Sequence, residues 1–600
     1  MSLLAVRDLT VRYAGAAEPA VRKLGFSIEA GESLGLVGES GSGKTQTALA
    51  IMGLLPPKAR MNGSISFDGF PLSNQPQRVL AGFRGRHIGM VFQDPQQALN
   101  PYLPVGEQLR RVLLEHKVAP AASVRALAMD LITRVRLPKA ERVYRAYPHQ
   151  LSGGMRQRAM IALALSCSPR LLIADEPTTS LDVTVQAQVL ALLQELRADS
   201  GIALLLITHD LGVIAENCER MLVIHHGHLL EQGPTRGVFR NPKQQETIAM
   251  LAAAVRLDHP PPPRPLPSPE PVLRVDNLGI SYSDRAGSPD PWKRTPARGV
   301  VKDVSFSLSA AETLAVVGES GCGKSSLAKG VVGLVGADTG GVYLVGTELA
   351  ARVQDRSAGD RRSLQMVFQD PIASLSPAMT IANIIAEPLA LHEPGLTRSL
   401  RQERVIAVLA RVGLDPSLLQ RFPHELSGGQ AQRVAIARAL VLDPAVIVCD
   451  EAVAALDGTV RRAVLQVLLE EQERTGLSLV FISHDMGVVR QVAHRVLVMY
   501  MGRVVELANN EQLFDRPRHP YTRALIDAVP VADPERRTNK VGTGFEPMGD
   551  VVHPGSAGCP FHPRCKYALP VCRTEMPGLR LVDGVEVACH RAEELDLRNR

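Results

Sequence analysis

The sequence predicts an α/β chain of two tandem, closely similar domains followed by a small cysteine-rich extension. Three observations carry that reading: a long internal repeat, a glycine-rich loop between an apolar strand and a helix in each copy, and four cysteines crowded toward the C-terminus. At 600 residues the chain is too long for one core, since a domain takes roughly 100–200. With 45% apolar and 21% charged residues it has the composition of a folded chain, not of a disordered or fibrous one. Lys and Arg number 67 against 61 Asp and Glu, a net charge of +6. The bases are scattered, so no nucleic acid partner is expected. No apolar run approaches the ~18–20 residues that span a bilayer, and the opening Met1-Ser2-Leu3-Leu4 lacks the start of a signal peptide. The chain is therefore expected to be neither secreted nor an integral membrane protein.

The repeat is read from separated motifs. Gly38-Glu39-Ser40-Gly41-Ser42-Gly43-Lys44-Thr45 recurs as Gly318-Glu319-Ser320-Gly321-Cys322-Gly323-Lys324-Ser325. Val91-Phe92-Gln93-Asp94-Pro95 recurs as Val367-Phe368-Gln369-Asp370-Pro371, and Leu151-Ser152-Gly153-Gly154 as Leu426-Ser427-Gly428-Gly429. Asp175-Glu176 and His209-Asp210 recur as Asp450-Glu451 and His484-Asp485. The spacing is constant but for a small early indel, which means two copies of one domain, each with its own core, and not a short-period solenoid. The copies are placed at 1–255 and 272–515. Between them 256–271 is a linker in which eight of the twelve residues from Pro260 to Pro271 are proline, an extended spacer able to bridge on the order of 35 Å. Residues 516–600 form the extension.

Each motif has a physical reading. Ser33-Leu34-Gly35-Leu36-Val37 suits a buried strand and residues 44–55 a helix, so the loop between them has the phosphate-binding spacing G-x-x-x-x-G-K-[ST]. Small residues (Gly38, Ser40, Gly41, Ser42 and Gly43; Gly318, Ser320, Gly321, Cys322 and Gly323) let backbone N–H groups wrap a phosphate at the positive end of the helix. Lys44 and Lys324 would bridge the β- and γ-phosphates, and the hydroxyls of Thr45 and Ser325 would hold Mg²⁺. Gln46 and Ser326, next in the helix, belong to the same nucleotide-binding set. Leu171-Leu172-Ile173-Ala174 and Ala445-Val446-Ile447-Val448-Cys449 suit central parallel strands. Each ends in Asp-Glu, where α/β sheets bind ligands. Asp175 and Asp450 are read as orienting Mg²⁺, and Glu176 and Glu451 as polarising the attacking water. Two further strands deliver His209 and His484, read as γ-phosphate contacts.

Leu-Ser-Gly-Gly followed by a basic, apolar helix (Met155-Arg156-Gln157-Arg158 and Gln430-Ala431-Gln432-Arg433) resembles the signature motif of ABC-type ATPases. With Gln93 and Gln369 as the Q-loop residues, the ordered motif set of that family occurs twice, over about residues 3–250 and 272–520. The resemblance implies two ATPase domains, each with a RecA-like core, an antiparallel β subdomain and a helical signature subdomain. It implies ATP and Mg²⁺ as cofactors, with Gln93 and Gln369 beside Thr45 and Ser325 at the metal. It also implies intramolecular head-to-tail pairing, in which Ser427, Gly428 and Gly429 act on the ATP of Lys44, and Ser152, Gly153 and Gly154 on that of Lys324. Tyr13 stands where the family's adenine-stacking aromatic is found; Tyr282 is the candidate in the second copy. Either could equally be a core residue of a strand, and the inserted stretch 284–299 leaves Tyr282 the more open. Two departures stand out: Asp175-Glu176-Pro177 becomes Asp450-Glu451-Ala452, and Thr179-Ser180-Leu181-Asp182 becomes Ala454-Ala455-Leu456-Asp457. Both sites are expected to hydrolyse ATP, though not necessarily at equal rates.

Arg518-His519-Pro520-Tyr521-Thr522-Arg523-Ala524-Leu525 and Cys559-Pro560-Phe561-His562-Pro563-Arg564-Cys565 resemble the C-terminal extension of dipeptide/oligopeptide importer ATPases. The first copy keeps only the eroded Asn241-Pro242-Lys243-Gln244-Gln245-Glu246-Thr247. The resemblance implies an energy-coupling ATPase for a bacterial importer of peptides or peptide-like solutes, peripheral on the cytoplasmic face of the inner membrane. Its implied partners are two integral-membrane permease subunits, docking near 100–108 and 377–388, and an extracytoplasmic solute-binding protein. The alternative, a soluble tandem ATPase acting on ribosomes or DNA, calls for a long charged helical linker in place of the proline-rich one. Cys559, Cys565, Cys572 and Cys589 are spaced C-x5-C-x6-C-x16-C, unlike the two close pairs of a zinc knuckle. Four thiolates can hold a [4Fe–4S] cluster, which the resembled importer ATPases have been associated with; zinc and free thiols stay open. Cys167, Cys218, Cys322 and Cys449 read as packing residues. Sequence position gives no reason to place the extension near either ATP, so its expected role is structural or redox-sensing.

Overall fold

Short apolar runs set the frame of each copy. Ser33–Val37, Leu171–Asp175 and Ala203–Thr208 are buried along their whole length, the pattern of parallel strands covered on both faces. In the computed structural model they join Ile88–Val91, Arg220–His225 and His228–Pro234 in a six-stranded sheet, parallel except for the last hairpin. Alternate residues point to opposite faces. Leu34, Leu36, Ile173, Leu205 and Ile207 pack with the helix Lys44–Ile51 and with an antiparallel sheet built on Leu4–Tyr13, Val21–Ile28 and Ala59–Phe67. Leu172, Ala174, Leu204, Leu206 and Val223 pack instead with the helices Val105–Glu115, Val124–Arg134 and Gly153–Leu165. The expected core, antiparallel sheet and helical subdomain are thus all present.

The structure describes residues 2–39, 41–179, 181–254, 270–282, 298–453, 456, 458–536 and 557–598. Nearly all of the proline-rich linker, most of the inserted stretch 284–299, and Ser40, Ser180, Ala454, Ala455 and Asp457 lie outside them.

The second copy repeats the layers. Leu364–Val367, Val446–Asp450, Ser478–Ile482, Thr313–Val317 and Arg495–Tyr500 run parallel, and Arg503–Asn509 returns antiparallel. Pro271–Tyr282, Arg298–Ser309 and Thr339–Leu344 form the antiparallel sheet. The helices Ile381–His392, Arg398–Arg411 and Gly428–Leu440 form the helical cluster.

This sheet does not stop where the first one does. Arg503–Asn509 also pairs with Val585–Val587, which pairs with Arg580–Val582, giving eight strands. The extension therefore completes the second sheet. At the junction the fully buried Glu506 accepts the backbone N–H groups of Arg518 and His519 at 2.8 and 2.9 Å. Burial pushes its carboxyl up to about 7, against the pull of those bonds and of Thr522.

By their contacts the described residues fall into two units, 2–254 with 530–536, and 270–529 with 557–598. Within the first, the Val531 N–H donates to Glu216 at 2.9 Å and Arg240 pairs with Glu535. The stretch from 516 onward, expected as one separate extension, is shared between the two units. Among the described residues no helix is long and apolar enough to cross a membrane.

Candidate functional site

Glycine shapes each phosphate loop. Gly43 and Gly323 precede the helices Lys44–Ile51 and Lys324–Val332 at φ 99° and 109°. A Cβ would lie 2.4 Å from the Ala20 carbonyl oxygen at Gly43 and 2.7 Å from that of Val300 at Gly323, so only glycine fits. Lys44 and Lys324 are buried. The Lys44 Nζ donates to the carbonyls of Gly38 and Glu39, both at 2.8 Å, and the Lys324 Nζ to those of Gly318 and Glu319 at 2.8 and 3.1 Å. Each ammonium is thereby held over its own loop. Ser42 and Cys322 are buried, Gly41, Ser320 and Gly321 are exposed, and Ser40 lies outside the described residues.

The carboxylates gather beside these loops. Asp175 and Asp450 end the central strands and are buried. The Ser325 hydroxyl donates to Asp450 Oδ1 at 2.9 Å, and the Thr45 hydroxyl lies near enough to Asp175 to pull its carboxyl down against burial. Burial pushes Asp175 up to about 6 and raises Asp450 as well. The hydroxyl and carboxylate expected to share Mg²⁺ thus meet in both copies, and a paired hard-oxygen set of this kind suits that ion.

The next residue breaks out of the strand. Glu176 and Glu451 have φ of 44° and 48°, and their N–H groups donate across to the carbonyls of Ile207 and Ile482 at 2.8 and 3.1 Å. Glu176 Oε2 accepts from Gln93 Nε2 at 3.1 Å and from the Thr179 hydroxyl at 2.8 Å, while Oε1 lies 3.3 Å from His209 Nδ1. Glu451 accepts from Gln369 Nε2 at 2.8 Å and lies 3.4 Å from His484 Nδ1. Burial is the largest single influence and works to raise both carboxyls, but the histidine contact and the loop lysine, with Thr179 in the first copy, together hold them below the usual range. Both glutamates are therefore ionised and able to accept a proton from water. Gln93 and Gln369, expected at the metal, donate to these glutamates, whose charge strengthens the bonds.

The remaining expected residues surround this centre. The Tyr13 hydroxyl bonds to Gln46, and the Tyr282 hydroxyl lies 3.2 Å from the Ser326 hydroxyl. The two tyrosines thus end matching strands and reach matching residues of the two phosphate-loop helices. Tyr282 is 41% exposed, so the core reading left open for it does not hold. Ser152 and Ser427 cap the helices Gly153–Leu165 and Gly428–Leu440, accepting the N–H groups of Met155 and Gln430 at 3.4 and 3.3 Å. Ser152, Gly153, Ser427 and Gly428 are exposed, so each helix start faces outward as an anion site would require. A Cβ at Gly154 or Gly429 would lie 2.6 or 2.2 Å from a methyl of Val185 or Val460.

The extension's four cysteines also come together. Cys559, Cys565, Cys572 and Cys589 are free thiols lining one cavity of about 20 Å³ with His519, His562 and His590. The Leu569 and Arg591 N–H groups donate to the sulfurs of Cys572 and Cys589, each at 3.4 Å. Burial pushes the Cys559 and Cys589 thiols up to about 11. Among the described residues no group of three or more His, Cys, Asp or Glu is drawn tightly enough to form a ready-made metal site.

Sequence position gives no reason to place the extension near either ATP, yet it reaches the second phosphate loop. Arg564, beside Cys565, donates two bonds of 2.8 Å to Glu319 of the second loop. The partners are 245 positions apart in the chain, which no local pattern reveals.

Comparison with known proteins agrees with this geometry. The ABC transporter family model matches residues 21–179 and 301–454, and that of the oligopeptide/dipeptide transporter C-terminal region matches 505–572. The glutathione import ATP-binding protein GsiA of Pectobacterium atrosepticum is 43% identical over 564 residues, covering 89% of this chain and 90% of its own. Its namesake in Escherichia coli K12 is 42% identical over 573 residues, covering 89% and 91%. Among solved structures, cbiO1 from Clostridium perfringens, part of the ABC transporter complex cbiONQ, is 27% identical with a TM-score of 0.35, covering 41% of this chain and 92% of its own. The chain belongs to the ABC transporter family, as an ATP-hydrolysing subunit of the oligopeptide/dipeptide importer type that carries two cassettes in one polypeptide.

Proposed function

We propose that this ATPase drives uptake of glutathione or a similar short peptide through two integral-membrane permeases, from the cytoplasmic face of the bacterial inner membrane. An extracytoplasmic solute-binding protein would deliver the solute. The observation that carries the reading is the complete set of lysine, aspartate, glutamate and histidine, assembled within each cassette of a chain that also matches an importer-type C-terminal region. In the second cassette a groove of about 410 Å³ beside the Q-loop, lined by Phe368, Glu387, Pro388, Leu391 and Arg438, suits a docked permease helix.

In each cassette the loop N–H groups and Lys44 or Lys324 bind the phosphates, and Tyr13 or Tyr282 takes the adenine face. Thr45 with Asp175, and Ser325 with Asp450, would hold Mg²⁺, whose contribution is to neutralise charge on the β- and γ-phosphates. Glu176 and Glu451 accept the proton of the attacking water, and His209 and His484 contact the γ-phosphate. The cassettes pair head to tail, Ser427, Gly428 and Gly429 reaching the ATP of Lys44, and Ser152, Gly153 and Gly154 that of Lys324. ATP closes this pair and hydrolysis reopens it. The test is uptake of labelled glutathione and dipeptides by cells or vesicles carrying the chain with its co-purifying permeases. Uptake abolished by Lys44→Ala with Lys324→Ala supports the reading; recovery of ribosomes in place of permeases would replace it.

The four thiols fit a thiolate-bound metal, since they share one cavity and backbone N–H groups already point at two of the sulfurs. The reading is a [4Fe–4S] cluster, with zinc the alternative. Anaerobically purified protein is expected to be brown and to contain iron and sulfide, and Cys559→Ser or Cys572→Ser to bleach it. One zinc and no iron per chain would decide for zinc, and four freely alkylated thiols without metal would remove both.

A further inference from the structure

The two phosphate loops share the sequence Gly-Glu-Ser-Gly but are braced differently. In the second cassette the Glu319 carboxylate, 18% exposed, receives the planar fork of Arg564, itself 9% exposed. The backbone N–H of the same Glu319 donates to the Tyr521 hydroxyl at 2.8 Å. Tyr521 is fully buried, its ring centre 4.6 Å from that of Tyr500 and 5.4 Å from that of Phe561. Main chain and side chain of one loop residue are thus both held by groups that follow the second cassette. The carbonyls of Gly318 and Glu319, which receive the Lys324 ammonium, lie on this braced limb.

In the first cassette the repeat places His225 where Tyr500 stands and Glu246 where Tyr521 stands. Glu39 lies 3.7 Å from His225, and Glu246 is exposed. Arg564 belongs to the extension, which occurs once. It adjoins Cys565, and Phe561, four residues before that cysteine, packs against Tyr521.

We propose that Arg564 and Tyr521 are positioning residues of the second ATP site, making nucleotide binding at Lys324 depend on these two contacts of the extension with its loop. Two physical effects act in the same direction. A loop already fixed in place loses less conformational freedom when the triphosphate binds. A paired Glu319 also repels that anion less than an unpaired carboxylate would. The proposal rests on reading the two glycine loops as ATP sites.

The test uses the full chain with Lys44→Ala, leaving the second site, or Lys324→Ala, leaving the first, titrated with a fluorescent ATP analogue and Mg²⁺. Each lysine change should halve the nucleotide bound; if neither does, the loop assignment itself has failed. Arg564→Gln or Tyr521→Phe should then weaken binding on the order of tenfold in the Lys44→Ala chain. Either should leave the Lys324→Ala chain within about twofold. At the second site KM should rise while kcat changes little, and adding Glu319→Gln to Arg564→Gln should recover part of the affinity. Tyr521→Phe removes one oxygen and keeps the packing, so it remains informative if Arg564→Gln unfolds the extension. Equal weakening of both sites, or an unchanged second site in both variants, would overturn the proposal.

Discussion

Glu176 and Glu451 occupy left-handed backbone conformations, at φ 44° and 48°, that cost of order 1–3 kcal/mol in a non-glycine residue. The distortion turns each carboxylate out of its strand and toward a histidine and a glutamine. Glu176→Gln combined with Glu451→Gln is expected to leave ATP binding intact and slow hydrolysis by roughly 10²–10⁴-fold. Phosphate release compared with nucleotide binding checks this, and near-normal turnover would take both residues out of the chemistry. The role of these residues was legible in the sequence because Asp-Glu is contiguous and ends an apolar run. Their conformation was not, because it depends on bonds to Ile207 and Ile482 of neighbouring strands. The contacts of Gln93 and Gln369 were missed for the same reason.

Among the elements, the hairpin of Arg580–Val582 and Val585–Val587 was the least visible beforehand. Each strand has three residues, too few for alternation to show, and its partner Arg503–Asn509 lies far upstream. The central strands, by contrast, were readable as unbroken apolar runs. At the hairpin's junction burial pushes the Glu506 carboxyl from the ordinary 4.5 up to about 7. Between those values the folded chain binds more protons than the unfolded one. The stability this group contributes is therefore complete below about pH 4.5 and is lost as pH rises through 7. Proteolysis of the full chain should accordingly open the region after Asn509 more readily at about pH 8 than at about pH 6. Glu506→Gln should flatten that difference; a pH-independent cleavage rate in the unaltered chain would contradict it.

Across the whole molecule, the repeat announced two equivalent cassettes and their layers, and what it hid is where the copies differ. The proposed head-to-tail pairing predicts that a photoreactive side chain at Ser40 captures the segment around Ser427 when ATP is bound. Capture of the segment around Ser152 instead would sink that arrangement. The clearest difference lies at the sheet margins. Arg503–Asn509, largely buried, is bonded on both sides, whereas its counterpart His228–Pro234 is mostly half-exposed and ends in Gly233 and Pro234. Features of the latter kind discourage a strand from recruiting a stranger. Trimmed of its last segment, the second cassette would leave the outer backbone groups of Arg503–Asn509 without their Val585–Val587 partner, and self-association along that edge is the expected outcome. The first cassette, expressed alone, already carries its own deterrents, so the two halves of this duplicated protein are not interchangeable building blocks.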